Sequence, residues 1–282
     1  MSTDSLLQST PRGLYCQAGD FFVDPAQPVE RAVITHAHSD HARRGCRHYL
    51  AAADGEALLR SRMLPEADFQ FLRYSEEIQV RGVTVSLHPA GHMLGSAQVR
   101  LEHRGRVAVV TGDYKLGRDP TCPSWEAIRC HLFVTESTFG LPVYRWESEA
   151  SAMDAVNRWW RDSQDAGKCC VLYGYAIGKS QRLLAGLDDT IGPIYTHGAV
   201  EKGIEAYRES GVKLPPTKYV GSIEGKHDFR GGLVLAVPSA HGTTWLRRFG
   251  RISTAMASGW MAVRGSRRRR SVDRGFVTVS YT

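Results

Sequence analysis

The stretch THAHSDHAR, residues 35–43, places His36, His38, Asp40 and His41 within six residues of a 282-residue chain that has 11 histidines in all. A histidine pair at i, i+2 at the end of a strand brings both rings near one point if the backbone turns there. Asp40 and His41 open the next segment and can face the same cavity from its other side. Imidazole and carboxylate together suit zinc and similar divalent cations. Four donors in six residues exceed what one ion takes easily from a single short loop, so two adjacent ions fit the pattern better. A histidine-rich surface turn is the competing reading. It suits a lone histidine far better than H-x-H-x-D-H.

Two further stretches point the same way. PAGHMLGSA (89–97) sets His92 among glycines after an apolar run, and glycine lets the backbone come close to an ion. VAVVTGDY (107–114) ends a buried strand on Gly112-Asp113, and a carboxylate at a strand end can bridge two cations. Each alone reads as an ordinary turn. In this order, behind the first motif, they form a set.

Composition bounds the function class. The chain is 42% hydrophobic and 23% charged, as a soluble globular protein is, and no apolar run approaches the ~20 residues of a membrane helix. The N-terminal MSTDSLLQSTPRG lacks the apolar centre of a signal peptide, which predicts a cytoplasmic protein. The six cysteines show no C-x-x-C spacing and read as reduced thiols. A net charge of +7, much of it from Arg267 to Arg270, favours an anionic partner, and nucleic acid is the commonest one. A merely solvated basic surface is the alternative.

The first half reads as short strands: 20–25, 31–36, 80–92, a hairpin over 97–114 turning near Arg104-Gly105, and 131–138. After Gly140 helical periodicity appears over 147–167, then strands near 169–176, 193–198 and 232–238 alternate with helices over 178–189 and 199–210. That alternation predicts a small α/β unit, with the boundary near 140.

With THAHSDH, AGHMLGSA, TGDY and TESTFG on the page in this order, the chain resembles the metallo-β-lactamase fold, specifically its nucleic-acid-processing β-CASP branch. Within that branch it is similar to bacterial ligase-associated DNA exonucleases, relatives of the mRNA 3′-end processing factors. The resemblance implies an αββα sandwich with an inserted β-CASP α/β cap: residues 1–140 the first part of the sandwich, 141–250 the cap, and 251–282 a return to the sandwich. It implies two divalent ions, zinc first and manganese as the alternative. His36, His38 and His92 would hold one, Asp40 and His41 the second, and Asp113 would bridge them. Asp40, His41 and Asp113 would then be catalytic, together with Glu136, which matches the family's first acidic motif. Asp24 matches an acidic position that supports the metal loop.

Two cations can generate a hydroxide at neutral pH, orient a phosphodiester and stabilise charge in an in-line displacement. The implied function is a metal-dependent DNA exonuclease acting in repair, with a DNA ligase and a helicase as functional partners. A ribonuclease or RNA 3′-end processing enzyme of the same branch is the alternative. A lactonase or thioesterase of the wider fold fits the cap and the basic charge poorly.

GYAIGKS (174–180) sits between a strand and a helix but is one residue short of the P-loop spacing G-x-x-x-x-G-K-[ST]. Lys179 and Ser180 at that helix start could still grip a phosphate, as could Arg267, Arg268, Arg269 and Arg270. An ordinary strand–helix turn is the competing reading. His197, His241 and the tryptophans of RWW (158–160) and SGWM (258–261) read as structural. The family continues past a stretch like RRRRSVDRGFV with a serine–aspartate–histidine–alanine–aspartate motif and a later threonine–histidine–glycine ligand. This chain reads FVTVSYT over 276–282. The resemblance therefore predicts that the last strands and helices of the sandwich are missing. That would leave an impaired enzyme or an inactive nucleic-acid-binding remnant.

Overall fold

A computed structural model of the chain describes residues 6–142, 144, 148–262 and 272–276. The chain divides into two compact units at Thr138/Phe139.

The first unit holds two sheets. One runs in strand order from β1 (Gln8–Thr10) through β2 (Gly13–Cys16), β3 (Phe21–Val23), β4 (Arg31–Val33) and β5 (His48–Ala52) to β6 (Asp68–Leu72), with α1 (Glu56–Arg62) between β5 and β6 in the chain. β1, β2 and β3 are antiparallel, and from β3 to β6 the strands run parallel. The second sheet is a meander of β7 (Glu77–Val80), β8 (Val83–Pro89), β9 (Ala97–His103) and β10 (Arg106–Val110), to which β11 (Leu132–Val134) adds in parallel. The hairpin turn at Arg104-Gly105 lies where the sequence predicts it. The run 80–92 read as one strand is instead broken by a second turn, at Arg81-Gly82. Both turns have two residues at positive φ, 49° and 82° in one and 50° and 73° in the other. That is the twist two-residue hairpins favour.

The sheets pack face to face. Phe21, Val23, Val33 and Leu50 of the first meet Val85, Leu87, Val99 and Leu101 of the second, all buried. Each such side chain contributes about 1.5–3 kcal/mol by leaving water. This core fixes where the strands end, and the ends of β4, β8 and β10 carry the three ligand stretches.

The second unit is a parallel sheet in the order β14 (Lys218–Tyr219), β13 (Ile194–Thr196), β15 (Leu233–Ala236), β12 (Cys169–Tyr173), β16 (Ile252–Ala257), β17 (Arg274–Phe276). Its helices are α2 (Glu149–Asp165), α3 (Lys179–Gly186) and α4 (Gly198–Glu209). The Ser148 hydroxyl caps α2 by accepting from Ser151 N–H. Met153, Val156, Trp159 and Trp160 follow at helical spacing and bury one stripe against Leu172, Leu183 and Leu233. One boundary needs correcting. Residues 251–282 were expected to return to the sandwich, yet β16 pairs with β12 along its length and β17 pairs with β16. β16 escaped the sequence reading because ISTAMA is rich in small residues and is buried on both faces, as a central parallel strand is.

Both tryptophans of RWW are core residues, with ring N–H groups on Ser253 Oγ (2.9 Å) and the Gly231 carbonyl (3.0 Å). Trp260 differs from the structural reading and is 37% exposed, while Met261 beside it is buried. The six cysteines are free thiols. Among the described residues no helix is long and apolar enough to cross a membrane.

Candidate metal centre

β4 leads through buried Ile34 and Thr35 directly into the histidine loop. His36 Nε2 lies 3.0 Å from His38 Nδ1, and His92 Nε2 lies 3.4 Å from the same atom. Asp113 Oδ2 stands 3.8 Å from His36 Nε2 and 3.7 Å from His92 Nε2. The four donor atoms all lie within 4.8 Å of one another. Ligand atoms about 2.1 Å from a tetrahedral cation are spaced roughly 3.4 Å apart, so this set fits one divalent ion with small adjustments. The other oxygen of Asp113, Oδ1, is 3.4 Å from His41 Nε2, and Asp40 Oδ2 is 3.7 Å from that same nitrogen. The chain thus gathers a second, smaller donor set of Asp40, His41 and Asp113, with Asp113 facing both. Asp40 is the open side of it, its side chain 79% exposed.

The orientation of these rings comes from Asp24, held at φ 44° just after β3. Its Oδ1 accepts from Thr35 N–H (2.8 Å), and its Oδ2 accepts from the Thr35 hydroxyl (2.5 Å) and from His41 Nδ1–H (2.7 Å). With its proton on Asp24, Thr35 Oγ1 accepts from His36 Nδ1 at 3.0 Å. This network assigns a proton to Nδ1 of both His36 and His41 and turns both Nε2 atoms into the site. Asp24 was anticipated as the support of the loop. Thr35 was not, and its only sequence signal is a hydroxyl directly before the first histidine.

The three stretches are tied by the backbone. Ala97 N–H donates to Thr35 O (2.8 Å), and Lys115 N–H to Ala90 O (2.9 Å). Ser96 Oγ accepts from the N–H groups of His92 and Met93, 3.1 Å each. Gly112 carries φ +56°, and a Cβ there would stand 2.5 Å from Thr35 Oγ1. Glycine is therefore what lets the end of β10 approach the histidine loop.

Burial, and then His41, His38 and His92 around it, push His36 well below the ordinary imidazole range, so it is neutral and available as a ligand. At His41 burial opposes the charge. Asp113 and Asp24, by hydrogen bond and by charge, outweigh it and hold the ring up at about 10. In the metal-free chain a proton therefore sits between His41 and Asp113, and a cation binding there displaces it.

The remaining predicted residues fare differently. The Glu136 carboxylate accepts from Thr138 N–H (3.0 Å) and Tyr114 N–H (3.5 Å), which ties the segment after Asp113 to the end of β11. Lys179 and Ser180 are buried, and Ser180 Oγ donates to the Tyr175 carbonyl at 2.7 Å. Their burial and this bond support the ordinary strand–helix turn more than a phosphate contact. Arg267, Arg268, Arg269 and Arg270 lie outside the described residues. His197 caps α4, accepting from Ala199 N–H (3.1 Å), and His241 packs edge-on against Tyr173.

No family profile matches the chain. Among curated proteins it is 30% identical over 266 residues to "Probable DNA ligase" of Opitutus terrae, an alignment covering 94% of this chain and 26% of that protein. It is 25% identical over 213 residues to "RNase J-like protein" of Methanocaldococcus jannaschii, covering 64% of this chain and 50% of the relative. A third relative is "Cleavage and polyadenylation specificity factor subunit 3" of Dictyostelium discoideum, 30% identical over 42% of this chain and 15% of its own length. By these relatives the chain is similar to the β-CASP branch of the metallo-β-lactamase family. The chain spans half or less of each of these relatives, and its α/β sandwich with a His/Asp cluster at the strand ends is the architecture the resemblance implied.

Proposed function

We propose that this chain is the metal-binding part of a nuclease that hydrolyses DNA phosphodiester bonds from an end, in repair and in functional association with a DNA ligase and a helicase. The observation that carries it is the shared position of Asp113 between the His36–His38–His92 set and the Asp40–His41 set. Two divalent cations, zinc first and manganese second, would supply Lewis-acid charge and lower the pKa of water at that point. The residues do the positioning. Asp113 sets the separation of the two sets, Asp24 and Thr35 aim the imidazoles, Glu136 steadies the segment after Asp113, and exposed Asp40 faces the side from which a substrate arrives. The choice of DNA rests on the alignment with the probable DNA ligase over 94% of this chain. The free thiols accord with a cytoplasmic setting.

A ribonuclease is the second reading, favoured by the RNase J-like relative. End-labelled DNA and RNA of one sequence, incubated with zinc or manganese, separate the two. The proposal expects DNA shortened progressively from one end, with Asp40→Ala abolishing cleavage while the strand still binds. Cleavage of RNA alone would transfer the assignment to the second reading. Binding without cleavage of either would leave a nucleic-acid-binding remnant.

A further inference from the structure

Arg43, Arg44 and Arg62 flank the ligand loop in the first unit. Arg62, at the end of α1, donates through Nη1 to the carbonyl of Ala37, the residue between His36 and His38. Arg44 donates through Nε (2.9 Å) and Nη2 to the carbonyl of Arg62. Arg43 follows His41 by two residues, and its buried Nε has no hydrogen-bond partner. Among the described residues none of the three has a carboxylate partner. Their sequence neighbours differ: Arg47 is held by Glu30 (3.3 Å) and Arg60 by Glu56 (2.7 Å).

Two guanidinium groups tied to carbonyl oxygens, and a third with an orphaned N–H, are an incomplete arrangement. Carbonyls satisfy geometry but leave the charge uncompensated, and the nearby carboxylate, Asp40, belongs to the second donor set. Burial and the charge of Arg44 both press on Arg62 and lower its proton affinity, which Asp40 offsets in part. An anion with several acceptor oxygens would complete the cluster, taking the free edges of the planar donors in charge-assisted hydrogen bonds.

We propose that Arg43, Arg44 and Arg62 form a phosphate subsite that holds a non-scissile phosphate of a nucleic-acid strand beside the metal centre, so setting which linkage reaches Asp40 and Asp113. The proposal rests on the nuclease reading above. It adds that strand recognition begins in the first unit, on the ligand loop itself, and that it reads the backbone rather than the bases.

The test uses the full chain and a short fluorescein-labelled single-stranded DNA with phosphorothioate linkages, with anisotropy read across a sodium chloride series. Arg43→Gln and Arg44→Gln are each expected to weaken binding about tenfold and to reduce the slope of log K against log salt by about 0.7 per lost contact. Metal content by elemental analysis should stay at the parental level. Arg62→Lys, which keeps the charge but loses the planar fork, should fall between parent and Arg44→Gln. Arg47→Gln should match the parent. Parental affinity and slope in Arg43→Gln and Arg44→Gln, with the parent binding well, would overturn the subsite and leave the nuclease reading standing. If the parent itself binds no strand, the nucleic-acid reading falls and the subsite with it.

Discussion

The loop after β4 and the turn after β12 both leave a buried strand, and both offer side chains that could grip a ligand. They spend their polar atoms in opposite ways. At residues 35–41 the inner polar atoms (Thr35, Asp24, the Nδ1 edges) satisfy one another, which leaves His36 Nε2, His38 Nδ1 and His41 Nε2 facing Asp113 or one another. At 174–180 the Ser180 hydroxyl returns to the Tyr175 carbonyl, and a Cβ at Gly174 would stand 3.0 Å from Leu183 Cδ1 and 3.4 Å from Lys179 Cγ. The first turn is supported from outside and left with outward lone pairs, whereas the second closes on itself. Ligand-like spacing is therefore a weaker sign of a site than donors converging from separate elements with a hydrogen-bond network behind them.

The glycines give the largest test of that contrast. Gly112→Ala should cost about 3 kcal/mol, since it combines positive-φ strain with a Cβ driven into Thr35, and it should release metal. Gly174→Ala should cost about 1 kcal/mol or less, because its neighbours are side-chain ends that can shift. Urea melts of both variants decide it, and equal costs would erase the difference between the two turns.

A change behind the ligands comes next. Asp24→Asn keeps the shape but no longer accepts from Thr35 and His41 as a carboxylate. Metal affinity should fall about 10–100-fold with little change in the melt, read by competition with a chromophoric chelator. An unchanged affinity would mean that the rings are aimed by packing alone.

Titration gives a smaller effect of predictable sign. His41 is raised to about 10 in the folded, metal-free chain. Its contribution to stability is complete below the unfolded value of about 6.5 and is lost as pH rises through the folded one. His36 is lowered, so its contribution is complete above about 6.5 and is lost as pH falls. Urea melts in chelator should show stability declining on both sides, and His41→Gln should remove the alkaline decline. Cation uptake at Asp40, His41 and Asp113 should tighten with rising pH and release a proton. An alkaline decline that persists in His41→Gln would assign it elsewhere.

The smallest effect belongs to the turn after β12. Ser180→Ala removes one buried hydrogen bond and should cost about 1 kcal/mol without altering oligonucleotide binding. A weakened strand affinity would restore that turn as a contact.

The candidate ligands were legible because all six fall in three short stretches, each at the end of a strand with recognisable turn chemistry. What supports them was harder to see. Asp24 precedes its partner Thr35 by eleven residues, and Arg62 reaches Ala37 from 25 residues away. Such pairs leave no local periodicity. In the fold, the apolar strands of both units and α2 follow from their patterns, whereas α1 is seven residues long and β16 is built from small side chains. Neither carries a strong signal of its own.

The central claim is that Asp113 serves two cation positions at once. Elemental analysis of tag-free protein, reconstituted with zinc and freed of excess, tests it most directly when parent, His92→Ala, His41→Ala and Asp113→Ala are compared. The parent should hold two ions per chain, His92→Ala and His41→Ala about one each, and Asp113→Ala close to none. A parent that holds a single ion, kept in full by His41→Ala, would contradict the shared carboxylate and reduce the centre to the His36–His38–His92 set.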